Sequence, residues 1–404
     1  MDRNTLNEIL KILPDDFSFK AVFEEPENEV SKDCEVLILG IGKHKIELIN
    51  GKYRPKNNDE LKALCDIDSI DLDDIDTSRV TDMSRIFESS NRKDFSGIES
   101  WEVSQVKSMR SMFEYVYIER HWSWDISGWN VSSVEDMSSM FGGSSFNGDI
   151  SRWNVSKVKN MNNMFWNSDF NQDISGWNVE NVEDMSYMFA YSPFNRDLSK
   201  WRVNPKADID SMFCGTEALR ILPKWDIKLF AYASDVFAGT IFHTFIKRKI
   251  KEFYKQTKRF YPLTNRQLCN LVEQKAIHLS QIDVSHITDM SYVFCWSPSS
   301  RRDFSGIESW NVSNVVNMYG MFSGCRWFNV DISGWNVENV EDMENMFCGA
   351  EQFHHSLNEW NINNKVNIQG IFANTNYPKK YIESWREKVG QEMFDKAFIR
   401  ERKR

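Results

Sequence analysis

A 24-residue repeat is the feature that most constrains the fold of this chain. The sequence Asp-Ile-Ser-Gly-Trp-Asn-Val begins at residue 125, returns at residue 149 with Arg in place of Gly, and returns unchanged at residue 173. Trp129, Trp153, Trp177 and Trp201 are therefore each 24 residues apart. A fixed period between about 20 and 50 residues is typical of solenoids and propellers. The repeat predicts an architecture built by stacking.

The spacing of apolar residues inside one unit predicts its local structure. The unit beginning at Ile150 reads Ile-x-x-Trp-x-Val-x-x-Val, which is the spacing of the strand segment of leucine-rich repeats. Met-x-x-Met-Phe follows at helical spacing, so we expect a short strand at Trp-Asn-Val and a short helix or 3₁₀ turn at the methionines. The predicted class is an α/β repeat solenoid with leucine-rich-repeat-like units of 24 to 28 residues.

The chain also contains an internal duplication. Residues 55–87 match residues 262–294 at an offset of 207, and residues 94–101 return letter for letter as 303–310. We expect two arrays, each begun by a Pro-led helical cap near 57–65 and 264–273, because a solenoid must cover its first core face. The predicted domains are an N-terminal α+β unit (1–51, with a helix over 1–13), a first solenoid (52–238), a linking helix (239–261), a second solenoid (262–375) and a closing helix (376–404).

One repeat unit near the end of each array is degenerate. Lys206 and Lys365 stand where the pattern has an inward valine. Degenerate terminal repeats are expected at the ends of a stack.

Composition limits the partners and the compartment. A net charge of -10 argues against nucleic acid, because phosphate binding needs clustered Lys and Arg. The basic runs at 247–251 and 400–404 are interpreted as solvated helix faces or tails. We expect no membrane span and no signal peptide, and the seven cysteines form no CxxC pair, which favours reduced thiols in the cytoplasm.

The repeat resembles a known family. The pattern Asp-Ile-Ser-x-Trp-Asn-Val-x-x-Val-x-x-Met-x-x-Met-Phe, most complete at 125–194 and 331–347, is similar to that of the BspA-like leucine-rich-repeat surface proteins of the mycoplasma type. The resemblance covers about 52–238 and 260–373. It implies a repeat fold and a role in surface display, adhesion or protein binding, and it implies no catalytic residue. A surface location is therefore the alternative to the cytoplasm.

Two polar columns recur with the repeat. The aspartates Asp125, Asp149, Asp173, Asp197 and Asp331 offer one carboxylate per unit, so turn capping is favoured over Ca²⁺ sites. The asparagines of Trp-Asn-Val are expected to face outward and to form an amide ladder between neighbouring units, with ligand recognition as the alternative.

Segments that interrupt the regular repeat are the best candidate binding sites. Insertions in repeat proteins form loops on one edge, and exposed Tyr, Trp and Arg are typical of interfaces. The alternative for these aromatics is packing onto flanking helices. The predicted partner-binding residues are Tyr115, Tyr117, Arg120, Trp124, Trp296, Arg326 and Trp327 near insertions, and Arg152, Asn154, Asn178 and Arg202 beside the asparagine column.

No catalytic motif, cofactor motif or metal-binding motif is recognisable in the sequence. The function predicted is that of a non-catalytic protein-interaction scaffold without cofactor or metal. The alternatives are a surface adhesin or structural particle component, and glycan binding through the aromatic residues. Self-association is left open.

Overall fold

The computed structural model describes residues 21–23, 32–38, 42–49, 51–117, 125–295, 301–363, 365–390 and 394. Contacts divide the chain into two compact units. The first contains residues 1–226 and 235–246, and the second contains 227–234 and 247–404. The helix predicted over 1–13 lies outside the described residues.

An antiparallel sheet precedes the first array. Its strands are β1 (Ala21–Phe23), β2 (Lys32–Ile38), β3 (Gly42–Ile49) and β4 (Lys52–Arg54), in the order β1-β2-β3-β4. Tyr53 in β4 also forms a parallel bridge with Ile75 of the first repeat unit. Glu47 on β3 pairs with Lys56 at 3.2 Å and with Arg79 at 3.0 Å. The sheet is therefore attached to the start of the array.

Helices lie at the beginning and end of the arrays. In the described residues they are α1 (Asn58–Cys65), α2 (Ile227–Ala231), α3 (His243–Gln256), α4 (Asn265–Val272) and α5 (Lys379–Val389). The Asn57 side chain caps α1 by accepting from Glu60 N, and Thr264 caps α4 by accepting from Gln267 N. The two predicted cap helices are thus confirmed, and α3 and α5 occupy the segments expected to link and close the arrays.

A buried arginine fixes each cap helix to its array. Arg92 donates to the carbonyls of Cys65 at 3.3 Å and Ile67 at 3.2 Å, just beyond the last turn of α1. Arg301 donates to the carbonyl of Val272 at 2.8 Å, at the end of α4. Both arginines are under 9% exposed. The guanidinium groups satisfy carbonyls that a helix end leaves without partners.

Successive repeat units, here called coils, are joined by a ladder of backbone hydrogen bonds. Met137 N donates to Asn160 O at 2.9 Å and Phe141 N donates to Met164 O at 3.0 Å. We call residues 136–143 and their equivalents in other coils the ladder segment. Parallel bridges at its first residue join Asp82, Ser108, Asp136, Asn160, Asp184 and Asp208 in one series, and Asp289, Asn317, Asp342 and Asn367 in another.

The ladder segment contains two left-handed residues four positions apart. In the coil whose ladder segment starts at Asp136, these residues are Ser139 (φ 54°) and Gly143 (φ 62°). Asn and Gly tolerate this conformation best, because a Cβ crowds the following carbonyl. The left-handed residues alternate with i-to-i−3 turn bonds such as Met140 N to Met137 O at 3.2 Å. Of the two expectations for Met-x-x-Met-Phe, the helix is wrong, since a helix would direct these N–H groups within its own coil, and the i-to-i−3 bonds match the alternative of a 3₁₀-type turn.

The expected strand at Trp-Asn-Val is also wrong. Bridges form at the residue before the first methionine, whereas residues 129–131 and 153–155 carry no bridge. There the indole makes the contact between coils: Trp153 Nε1 donates to Ile126 O at 3.0 Å and Trp177 Nε1 to Ile150 O at 3.1 Å. A side-chain donor thus replaces a strand pairing on this side of the coil.

Stacked aromatic and thioether side chains fill the arrays. Trp129 and Trp153 stack at 6.4 Å between centroids, and Phe141 and Phe165 stack at 5.8 Å. The tryptophans of the Trp-x-Val positions, Trp101, Trp129, Trp153, Trp177 and Trp201, are at most 5% exposed, and the inward Met and Phe residues of the regular coils are 0–1% exposed. The prediction that Trp, Met and Phe form the core is confirmed.

The aspartate column caps turns, as predicted. Asp149 Oδ1 accepts from Ser151 N at 2.9 Å, and Asp125, Asp173 and Asp197 make the same bond at 2.9 Å. These serines lower the pKa of each carboxyl through hydrogen bonds from backbone and side chain.

In the two degenerate coils a different residue points into the core. Lys206 and Lys365 are exposed, and the following residues, Ala207 and Val366, are 5% and 2% exposed. Asn204 Oδ1 caps Lys206 N at 2.9 Å, which moves the turn so that the next residue points inward. Lys206 and Lys365 therefore replace no core valine.

We propose that each array is a solenoid. The support is local and repeated: a backbone ladder, an indole bond and stacked rings connect each regular coil to its neighbour at the same repeat positions. The two arrays are described separately, each within its own part of the chain.

Replacing Trp153 with Ala should lower the free energy of unfolding by about 3–5 kcal/mol, because a buried indole and its bond to Ile126 O are lost. Replacing the exposed neighbour Arg152 with Ala should change it by less than about 0.5 kcal/mol. Urea unfolding measures both. Equal midpoints for the two variants would contradict a buried tryptophan column.

Exchanging Asp125, Asp149, Asp173 and Asp197 for Asn should flatten the acid dependence of stability. Each folded-state pKa is lowered, so the aspartates stabilise the fold above the unfolded value of about 3.9 and lose this contribution as the pH falls through the folded value. Asn keeps the acceptor and does not titrate. The urea midpoint should fall less between about pH 5 and pH 3 in the variant than in the wild type. An equal fall would show that other groups control acid unfolding.

Candidate interaction face

Exposed aromatic residues gather on the ladder segments of the first array. Tyr115, Tyr187 and Tyr191 are 42%, 42% and 55% exposed, and Trp166 is half-buried. We call these four residues and the outward polar residues between them the tyrosine face. The parallel ladder brings side chains from coils 24 to 76 residues apart in sequence onto one surface.

The three tyrosines occupy left-handed positions. Their φ values are 58°, 56° and 60° for Tyr115, Tyr187 and Tyr191. Neighbouring coils have Ser139, Gly143, Asn163, Asn167, Ser211 and Gly215 at the same positions. A bulky residue with positive φ is costly by about 1 kcal/mol, so the backbone does not explain the choice of tyrosine.

Packing explains two of the tyrosines in part. A Cβ on Gly143 would lie 2.5 Å from Tyr115 Cδ1, so the Tyr115 ring lies directly against this glycine of the next coil. Tyr115 then reaches Trp166, two coils away, with ring centroids 6.4 Å apart at 89°. Tyr191 lies against Gly215 in the same way. An aromatic ring over a neighbouring glycine is a recognised stabilising arrangement.

Tyr187 has no such explanation. The equivalent residue of the next coil is Ser211, and no glycine lies beneath its ring. Its side chain stays 42% exposed although the backbone favours Asn or Gly. Tyr187 is therefore the residue of this face whose presence owes least to folding.

Most of the tyrosine face carries little charge. Positions 138, 139, 142 and 143 and their equivalents in the next three coils hold one carboxylic acid, Asp210, which is 2% exposed, whereas the coil that carries Tyr115 adds Arg110 and Glu114 at the edge of the face. By contrast, 27% of the whole chain is charged. A hydrogen bond with the Cys214 thiol raises the pKa of Tyr191, so this phenol stays neutral at physiological pH. Charged residues border the face: Glu135 pairs with Lys107 at 3.7 Å and with Lys159 at 3.8 Å.

The residues predicted from the Trp-Asn-Val region lie on a different segment of the coil. Arg152, Asn154, Asn178 and Arg202 are exposed, as expected for outward positions. Asn154 Oδ1 accepts from Ser156 N at 3.2 Å and Asn178 Oδ1 from Glu180 N at 3.1 Å. Arg202 pairs with Glu180 at 3.5 Å. The asparagines cap their own turns, so the expected amide ladder between them is wrong.

An asparagine ladder exists in another column. Asn147 Oδ1 accepts from Asn171 N at 2.8 Å, and Asn171 Oδ1 accepts from Asn195 N at 3.0 Å. These asparagines follow the second core phenylalanine of each coil, where the backbones of successive coils run side by side. The recurrence of asparagine at this repeat position can be recognised in the sequence, but its contact with the next coil cannot.

The second array brings together a different set of predicted residues. Trp327 is 49% exposed and Arg302 lies over its ring at 5.5 Å. The adjacent Arg326 pairs with Glu351 at 3.4 Å. Tyr292 is 39% exposed and contacts the Tyr319 ring at 5.0 Å, and its hydrogen bond with Tyr319 raises the pKa of Tyr292 to about 12.

Of the remaining predicted residues, Tyr117 is 69% exposed, whereas Arg120, Trp124 and Trp296 lie outside the described residues. Sequence reasoning missed Trp166, Tyr187, Tyr191 and Tyr292. The available signal was a tyrosine or tryptophan at repeat positions where other coils have Ser, Asn or Gly, which are residues typical of left-handed backbone.

Comparison with known families gives a clear assignment. The family model described as "Mycoplasma protein of unknown function, DUF285" matches residues 60–169, 118–225, 144–253 and 265–385. The chain belongs to this family. The overlapping matches confirm tandem repeats and an internal duplication, so the chain is a repeat protein. Searches among curated proteins and solved structures found no match.

Membrane-spanning helices and metal-ligand clusters were sought in the part of the chain that the structure describes. In this part of the chain no helix is both long and apolar enough to cross a membrane. Within the same residues, no three His, Cys, Asp or Glu side chains are grouped as ligands for a metal ion.

Replacing Tyr187 with Asn should raise the free energy of unfolding by up to about 1 kcal/mol, because Asn tolerates φ near +56° better than Tyr. Tyr187→Phe keeps the same backbone cost and should leave stability unchanged. Urea unfolding of the three proteins decides the point. A loss of stability in the Asn variant would show that the Tyr187 ring makes stabilising contacts.

Proposed function

We propose that this chain is a non-catalytic interaction protein and that the tyrosine face of its first array binds another protein. The observation that carries the proposal is Tyr187: an exposed aromatic residue held at a left-handed position that Asn or Gly would fill at lower cost. Strained residues that folding does not require are typical of functional sites.

The composition of the tyrosine face supports a protein partner. Tyr, Ser, Gly and Asn predominate there, with one Trp. The same residue types predominate in antibody binding loops, because Tyr and Trp give large contact areas with few rotatable bonds while Ser, Gly and Asn adapt their hydrogen bonds. An uncharged centre bordered by ion pairs also resembles the core and rim of an interface.

The ladder restricts how a partner binds. Alternate backbone N–H groups of each ladder segment donate to the next coil, and others close turns within the coil. A partner strand therefore finds no row of unpaired backbone groups here, and recognition depends on side chains. This favours a folded surface or a side-chain-rich segment over strand addition.

We also propose that the protein works in the cytoplasm, with surface display as the alternative. The six cysteines whose side chains are described form no disulfide, and reduced thiols are typical of the cytosol. Separate tests on cytosolic and surface fractions distinguish the two locations.

Affinity capture should test function and location together. Immobilised wild type, Tyr187→Asn and Tyr292→Asn are each exposed to the cytosolic and the surface fraction of the source cells, and retained proteins are identified by mass spectrometry. We expect a protein captured from the cytosolic fraction by the wild type and by Tyr292→Asn, which alters the same repeat position in the other array, and lost with Tyr187→Asn.

Two outcomes would contradict these proposals. Equal capture by all three proteins would exclude the tyrosine face as the binding site. Capture confined to the surface fraction would overturn the cytoplasmic location and favour the adhesin alternative. Because Tyr187→Asn is expected to be at least as stable as the wild type, a loss of capture is not a loss of folding.

A further inference from the structure

The duplicated caps have the same backbone but differ strongly in negative charge. The 3₁₀ turn Leu72–Asp74 of the first array and Leu279–Gln281 of the second have nearly equal flanking angles, with ψ of 136° and 137° before the turn and 118° and 117° after it. Residues 66–76 contain six Asp and no Lys or Arg. The equivalent residues of the second array are Glu273, Lys275, His278, Ser280, Gln281 and Asp283. The turn therefore folds without the extra aspartates.

Among the described residues, three of these aspartates have no cationic partner. Asp66 pairs with Lys62, Asp73 with Lys52, and Asp76 with Arg54. Asp68, Asp71 and Asp74 have no Lys or Arg within ion-pair distance among the described residues, and Asp68 and Asp71 are exposed. We call residues 66–76 the acidic turn. Half of its six charges are therefore explained neither by the fold nor by pairing among the described residues.

A strongly basic stretch lies in the second unit. Residues 247–259 contain seven Lys and Arg against one Glu, in a chain with a net charge of -10. Lys247, Lys251 and Lys255 of α3 are exposed at i, i+4 and i+8, which aligns them on one side of the helix about 6 Å apart. In the described part of the chain none of the three has a carboxylate within ion-pair distance.

This helix is held firmly against its own unit. Phe253 and Tyr254 contact the Phe260 ring at 6.1 and 5.7 Å, and the Tyr254 hydroxyl donates to the carbonyl of Ala231. Lys247, Lys251 and Lys255 consequently form a fixed row of charge on an ordered helix. Ordered charges lose less side-chain and backbone freedom on binding than charges on a flexible tail.

We propose that the lysine row of α3 in one copy of the chain binds the acidic turn of a second copy. Both surfaces are exposed and opposite in charge, and each contains charges without an ion-pair partner among the described residues. The second array shows that the aspartates are dispensable for the turn. The contact joins two different surfaces, so it continues from copy to copy unless a ring closes. This proposal is independent of the protein-binding role of the tyrosine face.

Charge reversal in two separate variants tests the contact on the full chain. One variant has Asp68→Lys, Asp71→Lys and Asp74→Lys, of which the first reproduces Lys275 of the second array. The other has Lys247→Glu, Lys251→Glu and Lys255→Glu. The acidic-turn variant leaves residues 66–76 with three Asp and three Lys, and therefore without net charge, whereas the helix variant makes the lysine row acidic. Each should self-associate at least about tenfold more weakly than the wild type, because the attraction between row and turn is lost in the first variant and becomes repulsion in the second.

An equimolar mixture of the two variants should associate again, since each then meets its opposite. Sedimentation velocity at about 10 mM salt, where the Debye length is about 30 Å, measures the assemblies, and about 1 M salt should dissolve them. A control with Lys157→Glu, Lys200→Glu and Lys224→Glu has the same net charge as the helix variant and should associate like the wild type.

The outcomes separate clearly. A wild type that stays monomeric at low salt overturns the proposal, as does association that survives in both variants alone. Failure of the mixture to associate would also contradict direct binding of the lysine row to the acidic turn. Circular dichroism melting of every variant confirms that lost association reflects lost charge pairing and not unfolding.

Discussion

The ladder of backbone hydrogen bonds between coils is the interaction on which the arrays depend. It requires two left-handed residues in each ladder segment that the structure describes in full, because only that alternation directs successive N–H groups toward the next coil while turn bonds satisfy the rest. Small polar residues and glycine therefore recur there. The aromatic core then stacks at the spacing that the ladder sets, and the indole of each tryptophan donates to the preceding coil. Backbone geometry thus determines where side chains meet.

Because the backbone determines most residue types in the ladder segment, positions that depart from its preference are the best indicators of function. At most ladder positions the residue type follows from the left-handed backbone, so Ser139, Gly143 and Asn163 need no further reason. Tyr187 departs from that preference without a glycine to cover, and the tyrosine face around it departs from the charged character of the chain. In the caps, the duplicate turn gives a similar internal comparison, since one copy keeps the conformation without the aspartates of the other. Positions that depart from the repeat pattern therefore indicate more about function than positions that follow it.

Much of the organisation was predictable because periodicity is a property of sequence. The repeat period, the duplication, both cap helices, the buried Trp, Met and Phe, and the turn-capping aspartates all follow from spacing and residue type. The strand at Trp-Asn-Val was predicted wrongly, and of the short helix or 3₁₀ turn expected at the methionines only the i-to-i−3 turn bonds form. Both segments have the right apolar spacing, but spacing does not distinguish a helix from a turn with left-handed residues that bonds to another coil.

The sequence by itself determined that this chain is a tandem-repeat protein with two arrays and an aromatic core. Only the tertiary structure decided which residues share a surface. Tyr115 and Trp166 are 51 residues apart yet in contact, because Gly143 between them has no side chain and the ladder fixes the coils in register. Likewise, Asn154 proved to cap its own turn and Asn147 to bond the next coil. Such choices depend on distances between coils, which no local pattern in one coil contains.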